Sequence, residues 1–228
     1  MKRINVLLLS IIVLLSFSCA NSSSEQKATE DFAVDAAGMI YEGKIVFSET
    51  ESMAATVFLL PDSLFFILKK VNNDSIWEAN TGVWRITKGQ LLLDGGNDSR
   101  LVARKTSEGL EVLNNAGEPV MKDKKFILKQ QPVNSLWEYE FRLTAAYSYL
   151  ADAALMHFCD SPKAVPVLQT KANIDAERVF LNTEKQSEKG LFMDVSARLL
   201  QNSQTENPFK FALELEAVEQ VFAEMECY

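Results

Sequence analysis

Residues 6–17 form a nearly unbroken apolar block behind Lys2 and Arg3. A membrane-spanning helix needs about 20 apolar residues, so this block is too short to cross as one. It runs into the small residues and cysteine of Ser16-Phe17-Ser18-Cys19-Ala20, the pattern of a cleaved signal peptide. From residue 20 to 37 the chain turns polar and loses any apolar period, which predicts a tether too poor in apolar surface to offset the entropy of ordering. Short apolar runs then alternate with turn residues. Residues 56–60 precede Pro61-Asp62-Ser63, and residues 64–71 precede Asn72-Asn73-Asp74. Residues 91–93 lead into Asp94-Gly95-Gly96, 101–103 come before Ser107-Glu108-Gly109, and 110–113 come before Asn114-Asn115-Ala116-Gly117. Asn and Gly tolerate the positive φ of tight hairpins, so this spacing predicts antiparallel strands. A meander closed into a barrel is preferred, because closure removes exposed strand edges.

Pro132 and its polar neighbours mark a boundary at residues 130–135. Beyond it, residues 141–150 read as a long strand. Residues 174–185 read as a helix, with Ile174, Phe180 and Leu181 apolar and Asp175, Glu177 and Arg178 polar. Residues 191–200 and 209–215 again suit strands. The expected fold is therefore mostly β: an amino-terminal antiparallel β-barrel (lipocalin-like) followed by an OB-like carboxy-terminal domain with one helix. The expected divisions are a signal peptide at 1–18, a lipidated flexible tether at 19–37, a barrel domain at 38–131 and the OB-like domain at 136–228.

Cys19, directly after a small residue at the end of the apolar block, is the expected site of lipidation, and a multiply acylated cysteine anchors stably because each buried methylene contributes roughly 0.8 kcal/mol. Loss of residues 1–18 would take the formal charge from -8 to -10, which disfavours nucleic acid and anionic headgroups as partners. With Cys19 set aside, Cys159 and Cys227 remain, an even pair that suits an oxidising compartment.

Candidate chemistry is sparse. Asp152, His157, Cys159 and Asp160 bring the single histidine together with a thiol and two carboxylates, but one His and one Cys fall short of the three or four ligands of a Zn or Cu site. No metal or cofactor is expected there, and the bland reading is a strand end with a surface histidine and a structural cysteine. A serine hydrolase would have to use His157, yet no Gly-x-Ser-x-Gly elbow accompanies it. No catalytic residue is assigned, and the chain is read as a non-enzyme. The aromatics Phe47, Phe58, Phe65, Phe66, Trp77 and Trp84 suit either a filled barrel core, the preferred reading, or the lining of a ligand cavity. Met53, Met156 and Met193 are too widely spaced for a copper-binding methionine tract and read as gap-fillers.

Laid out in order, these elements resemble the NlpE family of copper-homeostasis and envelope-stress lipoproteins. The amino-terminal half carries Tyr41-Glu42-Gly43, Gly82-Val83-Trp84, Gly89, the leucines 91–93, Leu110, Leu113 and Gly117. The carboxy-terminal half is the sharper match, through Tyr147-Ser148-Tyr149, Ala151-Asp152-Ala153-Ala154, Phe158-Cys159, Val165-Pro166-Val167, Ala176-Glu177-Arg178 and Phe180-Leu181. The resemblance implies an OB-like carboxy-terminal domain and a disulfide between Cys159 and Cys227. It also implies an outer-membrane location through the lipid anchor, on the periplasmic face or the cell surface, and an inner-membrane sensor kinase or another envelope protein as partner. The sequence departs from the family where copper-binding members carry Cys-x-x-Cys: residues 45–53 hold Ser48, Glu49 and Glu51, hard oxygen ligands that do not select Cu(I). Two functions follow as expectations, an interaction lipoprotein of the cell envelope in envelope-stress sensing or copper homeostasis, without direct copper binding by this region, or a lipocalin-like module for a small apolar ligand or lipid.

Overall fold

The computed structural model describes residues 38–46, 52–70, 76–96, 100–133, 139–184, 187–201 and 210–227. The expected signal peptide, tether and Cys19 lie outside them, as do Phe47, Ser48, Glu49 and Glu51.

Eight strands form the first barrel: β1 (Met39–Val46), β2 (Ser52–Leu59), β3 (Leu64–Lys70), β4 (Trp77–Thr87), β5 (Gln90–Asp94), β6 (Leu101–Thr106), β7 (Gly109–Leu113) and β8 (Ile127–Gln131). Each pairs antiparallel with the next, and β8 returns to β1 through Ile40, Tyr41 and Glu42, so the meander closes. The barrel expected from turn spacing is thus the observed one. Its interior is filled by alternate side chains, among them Tyr41, Val57, Leu59, Phe65, Ile67, Leu91, Leu93, Leu110 and Leu128. Tyr41 keeps its hydroxyl in this interior, and burial pushes its pKa up to about 12.

Several strands escape the apolar-run reading. β4 carries Glu78, Asn80, Thr81, Gly82 and Arg85, and β8 ends in Lys129-Gln130-Gln131, so neither shows a strong period. β4 must also turn a corner, pairing with β3 up to Val83 and with β5 from Val83 onward. Gly82 sits at that corner, where a Cβ would lie 2.2 Å from the Asp94 carbonyl oxygen. Backbone cannot retreat as a flexible side chain can, so Gly82→Ala is expected to cost about 1–3 kcal/mol through overpacking. A thermal melt of the variant checks this, and an unchanged midpoint would mean that the corner relaxes freely.

The second barrel is built from β9 (Glu140–Leu150), β10 (Ala153–His157), β11 (Ala164–Pro166), α1 (Lys171–Asn182), β12 (Leu191–Gln201) and β13 (Phe211–Phe222). β9 pairs with β10 and β12, β10 with β11, and β12 with β13. A parallel bridge from Val167 to Leu213 closes the ring between β11 and β13. Five strands in this cyclic order, with the helix between the third and fourth, are the OB arrangement. The β9–β10 turn places Ala151 and Asp152 at φ 49° and 64°, the double positive φ of a two-residue hairpin turn, here achieved without Asn or Gly.

The helix begins three residues before the expected start, because Thr170 caps it: its hydroxyl accepts from the Asn173 N–H at 3.1 Å and donates to the Leu215 carbonyl at 3.1 Å. Its buried face also differs from the apolar positions of the sequence. Ala172, Asn173 and Ala176 are buried, whereas Ile174 and Leu181 are 50% and 63% exposed. Small side chains bring the helix close to the barrel end, and Asn173 is buried because the Tyr147 hydroxyl donates to its Oδ1 at 2.9 Å.

Candidate functional site at the disulfide and the domain seam

The two barrels are joined along one continuous sheet. Trp77 and Glu78 at the start of β4 pair in parallel with Phe141 and Arg142 of β9. The same seam buries the outer face of β1–β3. Ile40, Phe58, Leu64, Phe66 and Leu68 belong to one apolar cluster with Phe141, Tyr147, Met156, Phe158 and Phe211 of the OB domain. Phe66 is its centre, with ring centroids 5.9 Å from Phe141 and 5.6 Å from Phe158, the latter edge-on. Tyr139 packs edge-on between Phe58 at 5.9 Å and Trp77 at 5.6 Å, and its hydroxyl donates to Glu42.

The expected aromatic set is therefore divided by the structure. Phe65 points into the first barrel, Trp84 packs against that interior with its Nε1 donating to the Leu60 carbonyl at 2.8 Å, and Phe58, Phe66 and Trp77 serve the seam. The exchange between adjacent Phe65 and Phe66 follows from the two-residue alternation of a strand.

Directly after β10 the chain reads Phe158-Cys159-Asp160, and each residue holds something different. Phe158 meets Phe66 across the seam. Cys159 is bonded to Cys227, with Cα atoms 5.1 Å apart across 68 residues of sequence. The Asp160 carboxylate lies over Gly96 of the first barrel, where a Cβ would stand 2.6 Å from its Oδ1. Lys189 ties this segment to the start of β12 by donating to the Phe158 carbonyl at 2.8 Å and the Cys159 carbonyl at 3.1 Å. Disulfide, seam and barrel-to-barrel contact are thus carried by three consecutive residues.

The four residues singled out from sequence do not converge. Asp152 sits at the β9–β10 turn and accepts from the Tyr149 hydroxyl at 3.2 Å. His157, at the far end of β10, has its Nε2 2.8 Å from Ser148 Oγ. Cys159 has no thiol, and Asp160 faces the other barrel. Among the described residues no three His, Cys, Asp or Glu side chains are placed to hold a metal ion. Ser148 and His157 supply a hydroxyl and an imidazole, but Asp152 and Asp160 are both engaged elsewhere and do not orient the ring.

His157 carries the site's pH dependence. Burial, and then the positive charge of Lys189, hold its pKa below the usual 6.5. A histidine depressed in the folded state binds its proton more readily when unfolded. Stability is therefore full above pH 6.5 and is lost as the pH falls from there through the folded-state pKa. Urea midpoints taken between pH 7.5 and pH 5 should fall on acidification, and His157→Gln should flatten that slope; an identical slope would assign the acid sensitivity to other groups.

Sequence reasoning missed the seam residues Phe66, Tyr139 and Phe141 as a unit. The available signal was the length of the apolar runs in β2 and β3, since a strand buried on one face alternates whereas one buried on both faces does not.

Comparison with family profiles agrees with the geometry of the second barrel. Residues 140–228 match the family profile described as the NlpE C-terminal OB domain. Among solved structures the chain is similar to the Cpx pathway activator NlpE from Escherichia coli, at 21% identity over 83% of this chain and 97% of that one, with a TM-score of 0.36. No curated protein matches. Residues 140–228 thus form an NlpE-type OB domain.

Proposed function

We propose that this chain is a lipid-anchored interaction protein of the cell envelope that reports envelope stress, with the folded globule as its recognition surface and Cys19 as its membrane anchor. The observation that carries the reading is the placement of the disulfide within an NlpE-type OB domain. Cys159 is flanked by Phe158 and Asp160, the residues that meet the first barrel, so the redox state of one bond is linked to the seating of two domains. A chain that fails to form this bond would present an altered surface to a partner. As the family resemblance of the sequence implies, that partner is a sensor kinase of the inner membrane or another envelope protein, and the anchor lies in the outer membrane. The reading includes no catalysis, no nucleic acid and no copper, the last because thiolates are missing after Tyr41-Glu42-Gly43.

The lipocalin-like alternative draws on the closed eight-strand barrel, the size that in some proteins holds one small ligand. Against it stands the interior packed with Tyr41, Phe65 and a set of leucines and valines.

The test is an envelope-stress reporter measured after deletion of the protein, after its overproduction, and with Cys159→Ser and Cys227→Ser. Altered output in the cysteine variants at equal protein level is expected; a reporter indifferent to all four changes sinks the signalling reading.

A further inference from the structure

A cleft of about 360 Å³ opens where the first barrel meets the OB domain, with Leu60, Leu64, Val165 and Phe211 at its base and the exposed Lys163 and Lys210 at its rim. Asp62 is the one acid among its described lining residues. The described chain enters the fold at the edge of this cleft. A Cβ on Gly38 would lie 3.3 Å from Phe211 Cζ and 3.6 Å from Leu60 Cδ2, two of the lining residues. Immediately upstream the sequence reads Glu30-Asp31-Phe32-Ala33-Val34-Asp35, an apolar triplet flanked by three acids. Phe32 is six residues from Gly38, a span of up to about 20 Å when extended, enough to reach any part of the cleft.

We propose that residues 30–35 of the tether dock in this cleft, Phe32 and Val34 against its apolar base and Asp31 and Asp35 beside Lys163 and Lys210. The volume is near the lower end of the range for ligand pockets, about 300–1,000 Å³, and suits one aromatic side chain with its neighbours. Entry beside the cleft makes docking intramolecular, so a weak contact suffices at the high effective concentration of a short linker. Docking goes beyond the signalling reading and does not depend on acylation. Where Cys19 is acylated, the docked state leaves residues 20–29 as the free leash instead of 20–37, and the maximal reach from lipid to globule falls from about 60 Å to about 35 Å.

Hydrogen exchange on the full mature chain, purified from the envelope in detergent, tests this. Amides of residues 31–37 should exchange at least tenfold more slowly than those of 21–27. Phe32→Ser should remove that protection, and so should Lys163→Glu with Lys210→Glu, while the strand amides stay protected; adding Asp31→Lys and Asp35→Lys to the double Glu variant should restore it. Phe32→Ser leaves both lysines and every residue of the two described core clusters unchanged, so it remains informative if the charge-reversed protein folds poorly. Equal exchange across the whole tether overturns the proposal, as does protection untouched by these variants. Protection that fades on tenfold dilution assigns the cleft to the tether of a second copy and also overturns it. So does a small-molecule adduct in the native mass spectrum that is lost with Lys163→Glu and Lys210→Glu while the tether exchanges freely. None of these outcomes bears on the reporter assay, so the two readings fail separately.

Discussion

Replacing Cys159 and Cys227 together by serine will lower the stability of the folded chain by about 4 kcal/mol, the chain-entropy value for a cross-linked loop of 68 residues. Both must be changed, since a single replacement leaves a free thiol for intermolecular exchange. The bond closes β11, α1, β12 and β13 of the OB domain into one loop, from the end of β10 to the segment after β13. Without it the unfolded ensemble gains freedom, while Lys189 still holds the Phe158 and Cys159 carbonyls. Against a domain stability of about 5–15 kcal/mol, such a loss is large enough to populate opened forms. Urea denaturation of the oxidised protein and the double variant gives the difference. A change below about 1 kcal/mol would show that native packing holds the carboxy-terminal segment without the cross-link, and would weaken the case for a redox-coupled surface.

Phe66→Ala is expected to cost about 3–5 kcal/mol, the usual range for deleting a fully buried phenyl ring. What distinguishes it is where the loss falls. Phe66 stands on the outer face of β3 and touches Phe141 and Phe158, so its removal leaves the interior cluster of the first barrel intact and opens the seam. The single unfolding transition expected of two barrels sharing one cluster should then split in two, with the OB domain melting first. Phe65→Ala, one residue away and equally buried, empties the barrel interior instead and should lower the first barrel's own transition. Differential scanning calorimetry of the two variants separates these cases. Identical, unsplit transitions in both would mean that the barrels fold as one unit whatever the seam contains.

Much of this architecture is written locally. Runs such as 64–71 and 91–93, each ended by residues that accept tight turns, carry the strand period, and strands at that spacing with a penalty for free edges lead to a closed meander. The single helix among the described residues is equally local, and so is the even cysteine pair. The strands that escaped have equally local reasons. β4 and β8 are rich in polar residues because much of their outer surface meets water, and the β9–β10 turn uses Ala151-Asp152 where the expected turn residues are Asn and Gly.

The candidate site was legible only in pieces. The spacing of Asp152, His157, Cys159 and Asp160 suggested one cluster, yet β10 carries Asp152 and His157 to opposite ends, and the turn after it sends Phe158 and Asp160 to the other barrel. Neither the helix face that packs nor the partner of Asn173 follows from periodicity, since close approach by alanines and a hydrogen bond from Tyr147 depend on the surface the helix meets. The sequence by itself determined two β domains, their order, and the pairing chemistry available to Cys159 and Cys227. Only the tertiary structure decided which face of β3 met a second domain, because alternation tells a strand that it has two sides and only long-range packing assigns a neighbour to each.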